Sequence, residues 1–241
     1  TKEKISGWGM AANQVGSILG VIITYHIAEG MICFNCITGR SATFLISSIL
    51  FLLFCLPVFL FLKDSTQPIA SQENQPSTTP LKETLKNLRN IRQVPGVLPY
   101  LISYYCFADA ILTLQLFVAL YLELVAGFTD GEKTLSVVFA LFFAILGALL
   151  SGKIAEIFKN TKRAIAFFIA LFAILIGALA LAQGYWAFMV IIILNGFAYG
   201  ALFSLSRAFY SNLVPHDRQG EFFGLYVLFE RFASFVGPLM W

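Results

Sequence analysis

Apolar runs of about 18 to 25 residues recur along the chain, separated by short polar stretches. At 1.5 Å per helical residue, each run is long enough to cross a hydrocarbon layer of about 30 Å. Seven spans are expected, at 8–27, 42–62, 98–121, 134–152, 164–183, 186–206 and 222–241. No stretch sustains the polar/apolar alternation that a membrane β-barrel needs. The pattern predicts an all-α, polytopic helical membrane protein.

Composition agrees. Of 241 residues, 59% are hydrophobic and only 12% are charged, about half the share of roughly 25% that a soluble domain carries. That excludes a soluble enzyme and a nucleic-acid-binding domain. Cys33, Cys36, Cys55 and Cys106 are too few, and too apolar in setting, for a disulfide-stapled secreted module. The chain opens on Thr1 without an initiator Met and closes on Trp241 inside an apolar run, so it is expected to be a piece of a longer protein.

The distribution of charge matters more than the net +3. With the N-terminus in the cytoplasm, the inner segments hold Lys2, Lys4, Lys63, Lys82, Lys86, Arg89, Arg92, Lys153, Lys159, Lys162, Arg163, Arg207 and Arg218. The outer segments hold only Arg40 and Lys133, and Arg231 lies inside the last span. Positive-inside bias therefore sets the orientation.

One connection differs from the rest. Residues 64–80 are rich in Ser, Thr, Gln and Pro and read as a flexible linker. The following stretch sets Leu81, Leu85, Leu88 and Ile91 on one helical face, with Lys82, Lys86, Arg89 and Arg92 on the other. That helix either lies on the anionic cytoplasmic leaflet or is a solvated connector. The expected organisation is two spans ending one half (1–63), a cytoplasmic linker with an amphipathic helix (64–96), and five spans opening a second half (97–241).

Small residues recur every fourth position in three places: Ala12, Gly16 and Gly20; Ala140, Ala144, Ala148 and Gly152; and Gly196, Gly200 and Ser204. Such ridges let helices approach closely in lipid. They serve either static packing or the sliding that alternating access requires.

Several polar residues fall at membrane depth. Asp109 sits near the middle of the third span, where a charge costs about 2.5–3.5 kcal/mol on insertion scales. Its face includes Tyr105 and Thr113. It reads as a proton-coupling or amine-binding acid, or as an acid satisfied by neighbouring helices. Glu230 and Arg231 lie in the last span, about 100° apart around the helix. Glu230 shares its face with Tyr226, Ala233, Ser234 and Gly237, which suits a cavity wall; Arg231 sides with Val227 and Phe235. Arg231 is an anion ligand or a packing partner. Gly237-Pro238 is expected to bend or break the span. Asn13 and Gln14, and Asn195 with Tyr199, are further polar groups that serve as interhelical glue or solute contacts.

Catalytic signals are lacking. Cys33 and Cys36 have no second pair of ligands to complete a zinc site. His216 and Asp217 have no nucleophile or Gly-rich phosphate loop beside them. No enzyme activity, cofactor or metal is expected.

The stretch SRAFYSNLVPHDRQGEFFGLYVLFERFASFVGPL (206–239) resembles the vacuolar amino-acid effluxers, autophagy-related permeases of the major facilitator superfamily, and their bacterial relatives. EFFGLY (221–226) followed by Gly237-Pro238 is the most specific part. GRSATFLISSILFLLFCLPVFLF (39–61) is similar to that family's sixth span, and KISGWGMAANQVGSILG (4–20) to its fifth. YCFADAILTL (105–114) is similar to a seventh-span pattern built on Asn-Asp-Gly, of which Asp109 is kept. GKIAEIFKNTKR (152–163) resembles the superfamily's loop signature Gly-x-Leu-Ala-Asp-Arg-x-Gly, with Gly152 retained, Glu156 for the acid, Ile157 for the basic residue and Lys159 for the second glycine.

This resemblance implies a major facilitator-type bundle, spans five to eleven of twelve, that moves amino acids by alternating access. It implies a gating loop at Gly152, Glu156, Lys162 and Arg163. It places the protein in the vacuolar or lysosomal membrane of a eukaryote, or the plasma membrane of a prokaryote. The expected partners are a small-molecule substrate, the bilayer and protons, and no nucleic acid. The competing expectation is a transporter-like receptor or scaffold that does not transport.

Overall fold

The structure, a computed structural model, describes residues 2–29, 40–61, 94–215 and 218–240. Among them are seven helices: α1 (Lys2–Ala28), α2 (Arg40–Phe61), α3 (Val97–Leu124), α4 (Asp130–Phe158), α5 (Thr161–Leu181), α6 (Tyr185–Leu213) and α7 (Gln219–Met240). All seven are long and apolar enough to cross a membrane. The chain is a polytopic helical membrane protein. The linker at 64–80, the amphipathic stretch at 81–92, Cys33, Cys36, His216 and Asp217 lie outside the described residues.

Helices outrun the apolar runs that foretold them. α4 starts at Asp130, not near residue 134, because Thr129 and Glu132 form a reciprocal capping box there. α6 runs to Leu213 and so carries Arg207 inside the helix, where the sequence pattern had put it in a loop. An apolar-to-charged switch marks a membrane edge, whereas the helix ends just before Pro215, whose ring disfavours helical geometry in the residue ahead of it. α7 is continuous to Met240 with Pro238 inside it, so of the expected bend or break at Gly237-Pro238 the break does not occur. Proline this close to a helix end removes a single backbone bond near the last turn.

The described contacts divide the chain into two units: residues 1–18 with 87–241, and residues 19–86. In the second unit, α2 exposes Phe44, Phe51, Phe54, Phe59 and Phe61. A helix that is apolar around its whole circumference suits a lipid environment.

In the first unit, α4 and α6 cross along two of the three small-residue ridges. Gly196 rests on the Ala140 backbone, Gly200 on Ala144 and Gly147 on the Phe197 carbonyl; a β-carbon at any of them would overlap the facing backbone. Lipid tails supply little hydrophobic drive between helices, so close van der Waals contact of this kind holds the crossing. Ser151 and Ser204 bridge it with buried hydroxyls 2.8 Å apart. The opening turns of α1 join them: the Lys2 ammonium donates to the Ser211 carbonyl at 2.8 Å, the Ser6 hydroxyl donates to the Ser204 carbonyl at 2.9 Å, and Gly7 packs on Ala148. The third ridge behaves otherwise. Ala12, Gly16 and Gly20 are exposed, and nothing described lies against either glycine; Met10, Ala11 and Gln14 form the buried face of α1.

α3 runs beside α7, and α5 covers α6 with Phe168, Phe172 and Leu175. Lys2, Lys4, Lys153, Lys159, Lys162 and Arg163 gather at one end of this unit, called here the basic end. At the opposite end Lys133 pairs with Glu123 and Asp130, at 2.5 and 2.7 Å.

Candidate functional site

The polar groups at membrane depth concentrate on the seam between α3 and α7. Nearest the basic end, Tyr100 donates to the Ser206 carbonyl at 2.7 Å and stacks on Tyr210. One turn on, Tyr104 is completely buried and donates to Glu230 Oε2 at 2.8 Å. Its ring stacks on Tyr226 at 4.3 Å and meets Phe203 edge-on at 6.2 Å. Glu230 is thus held by a tyrosine wedged between aromatic rings, at a side chain the sequence pattern did not single out. Tyr105, which it did, is half-buried beside this cluster.

Ala108 and Ala233 then close the seam, both completely buried. Beyond them lie Asp109 and Thr113. Both flank Gly237, so closely that a β-carbon there would meet the Thr113 hydroxyl and the Asp109 carboxylate together. Asp109 Oδ1 and Thr113 Oγ1 are shut from solvent without a hydrogen-bond partner among the described residues. Asp109 lies five residues beyond Tyr104, a rise of about 7.5 Å. The two acids therefore share a seam but occupy separate levels of it. The Glu230 face, expected to line a cavity, is instead largely a packing face: Tyr226, Ala233 and Gly237 are buried against α3, and Ser234 is exposed.

Asp109 and Thr113 border a cleft of about 650 Å³ between α3, α5 and α7, whose other walls include Phe117, Val118, Leu124, Ile176 and Met240. A second, smaller cavity of about 90 Å³ holds Gln115 with Asn195 and Tyr199, which the sequence had already placed on one face. Asn195 donates to the Ile191 carbonyl of its own helix at 3.1 Å, and its Oδ1 is buried without a described partner. Among the described residues its amide makes no hydrogen bond to a neighbouring helix.

Other expected site residues fall elsewhere. Arg231 is exposed, alongside exposed Val227 and Phe235, and turned from the seam. Asn13 is exposed; its neighbour Gln14 is the buried one, with its amide nitrogen unpartnered among the described residues. At the facing ends of α4 and α5, Gly152 is buried against Lys4, while Glu156, Lys162 and Arg163 are exposed and share no ion pair with one another. The Lys162 ammonium lies over the Phe209 ring at 5.7 Å. Lys159, standing where the loop signature has glycine, is the single described non-glycine residue with positive φ, at 52°.

Sequence reasoning missed Tyr104 and Arg207. Tyr104 looked like any aromatic on a buried helix. The charge pattern places Arg207 in an inner loop, whereas its spacing of eight residues from Tyr199 puts both on one stripe of α6.

The family described as vacuole effluxer Atg22-like matches residues 1–241 of the chain. Autophagy-related protein 22 of Yarrowia lipolytica is 23% identical over 270 residues, covering 98% of this chain and 44% of the relative. An uncharacterized MFS-type transporter, YxiO, of Bacillus subtilis is 27% identical over 159 residues, covering 64% of this chain and 36% of the relative. Autophagy-related protein 22-1 of Neosartorya fischeri is 22% identical over 265 residues, covering 98% and 42%. The chain thus spans less than half the length of these relatives. No solved structure matches it. Matched along its whole length, the chain belongs to the Atg22-like vacuole effluxer family.

Proposed function

We propose that the chain is part of a secondary active transporter that moves amino acids or similar small solutes by alternating access, with proton coupling at Asp109. The observation that carries this reading is the Asp109 carboxylate oxygen, buried without a described partner in the middle of a membrane-crossing helix. An unpaired ionised acid at that depth is costly, and a bound proton or cationic group relieves the cost. A site that alternates between charged and neutral forms is what coupling needs. The relatives' names, a vacuole effluxer and an MFS-type transporter, point to the same class. Glu156, Lys162 and Arg163 exchange partners as the basic end opens and closes, a reading supported by their exposure there.

The test uses the full-length protein in liposomes, following labelled mixed amino acids with and without an imposed pH gradient. Wild type is expected to accumulate label down the proton gradient. Asp109→Asn is expected to lose gradient-driven flux while retaining exchange. Unchanged gradient-driven flux in the variant returns Asp109 to a packing role, and no flux in wild type removes the amino-acid reading.

A further inference from the structure

α6 is the most enclosed helix of the chain, and Arg207 is the exception on it. From Ala198 to Ala208 every residue is buried except half-buried Tyr199 and exposed Arg207. The Arg207 guanidinium is open to a partner that the described residues do not supply.

Tyr199, Phe203 and Arg207 follow one another at four-residue intervals and form a stripe. The Phe203 ring lies 4.7 Å from that of Tyr199 and 6.2 Å from that of Tyr104, whose hydroxyl holds Glu230. Ser206, next to Arg207, is tied to α3 through Tyr100. Phe203, Tyr104 and Tyr226 thus form a buried aromatic chain from the α6 stripe to Glu230, with half-buried Tyr199 at its edge. Neither Arg207 nor Glu230 has an ion pair among the described residues, with the other or with anything else. An exposed guanidinium fork and a half-buried carboxylate, linked through these rings, suit a ligand that carries both complementary charges.

We propose that Arg207 and Glu230 form a zwitterion site: Arg207 takes a carboxylate, Glu230 takes an ammonium, and an apolar side chain lies against Tyr199. Tyr104 is a positioning residue that fixes the Glu230 carboxylate. This inference rests on the transport reading above and assigns its solute contacts to residues other than Asp109 and Arg231.

The experiment uses the full-length protein in liposomes carrying labelled phenylalanine, with three competitors: phenylalanine, its methyl ester, which lacks the carboxylate, and N-acetylphenylalanine, which lacks the ammonium. In wild type each analogue is expected to compete about 10- to 100-fold less well than phenylalanine, the loss that follows from one missing charged hydrogen bond. In Arg207→Gln the ester should compete as well as phenylalanine while N-acetylphenylalanine stays poor. Glu230→Gln should show the reverse. The arm that each variant retains reports an intact site. Where a variant carries no flux, thermal stabilisation of the purified protein by the same three compounds reads the same ratios. Wild-type discrimination in both variants overturns the proposal, as does loss of both arms together in either one. Absence of phenylalanine flux and binding in wild type overturns the amino-acid reading itself.

Discussion

Gly237 of α7 is seated directly on Thr113 of α3, with no room for a methyl group between its Cα and the Thr113 hydroxyl. The same vacancy admits the Asp109 carboxylate. Gly237→Ala is therefore expected to push α3 from α7 at a cost of about 1–3 kcal/mol, the usual range for overpacking a close contact. Thermal unfolding of the full-length protein in detergent checks this. Thr113→Ala in the same chain should recover part of the loss, because it removes one of the two groups that the new methyl meets and leaves the Asp109 carboxylate. A Gly237→Ala protein as stable as wild type would show that the seam is loose.

The α4–α6 crossing is tighter still, and the ridge on α1 supplies its control. Gly200→Ala places a methyl in the Ala144 backbone, whereas Gly16→Ala meets nothing described within 4 Å. Gly200→Ala is expected to lower stability by at least about 2 kcal/mol, and Gly16→Ala to change it little or raise it by a few tenths through helix propensity. The same pair measured by unfolding in detergent should separate clearly. Equal effects would contradict the packing seen at Ala144.

How far the sequence reaches is clear from these elements. Seven apolar runs announce seven helices because the membrane leaves the backbone few other choices. Small residues at every fourth position announce ridges, but periodicity does not say which ridge has a partner: Gly200 has one and Gly16 does not. Asp109 is legible because an acid at that depth is rare. The Tyr104–Glu230 bond is not, because it joins residues 126 apart and depends on how α3 is rotated against α7. Arg207 marks the end of the apolar run and not of the helix, whose backbone continues to Leu213.

Lys159 caps α4 at φ 52°, a conformation that costs a side-chain-bearing residue about 1 kcal/mol or more relative to glycine. Lys159→Gly is thus expected to stabilise the turn between α4 and α5, raising the unfolding midpoint while leaving transport unchanged. Its side chain is exposed and has no described ion pair to lose. A destabilised Lys159→Gly protein would mean that the ammonium contributes more than the backbone strain removes.

The two serines that bridge α4 and α6 should differ in their response to alanine, because a hydroxyl has one proton to give. Ser151 gives its proton to the Ala148 carbonyl at 2.6 Å, so in the 2.8 Å contact between the hydroxyls Ser204 must be the donor. Ser151→Ala then strands a buried donor on Ser204, at a cost of about 1–2 kcal/mol. Ser204→Ala leaves Ser151 still bonded to its carbonyl and only one lone pair short, at a cost nearer the ~0.6 kcal/mol typical of a single interhelical hydrogen bond. In the double variant Ser204 is gone, so the second substitution should add less than its single-mutant value. A double-mutant cycle on the purified full-length protein measures all three. Ser204→Ala proving the costlier of the two would reverse the direction of the bond.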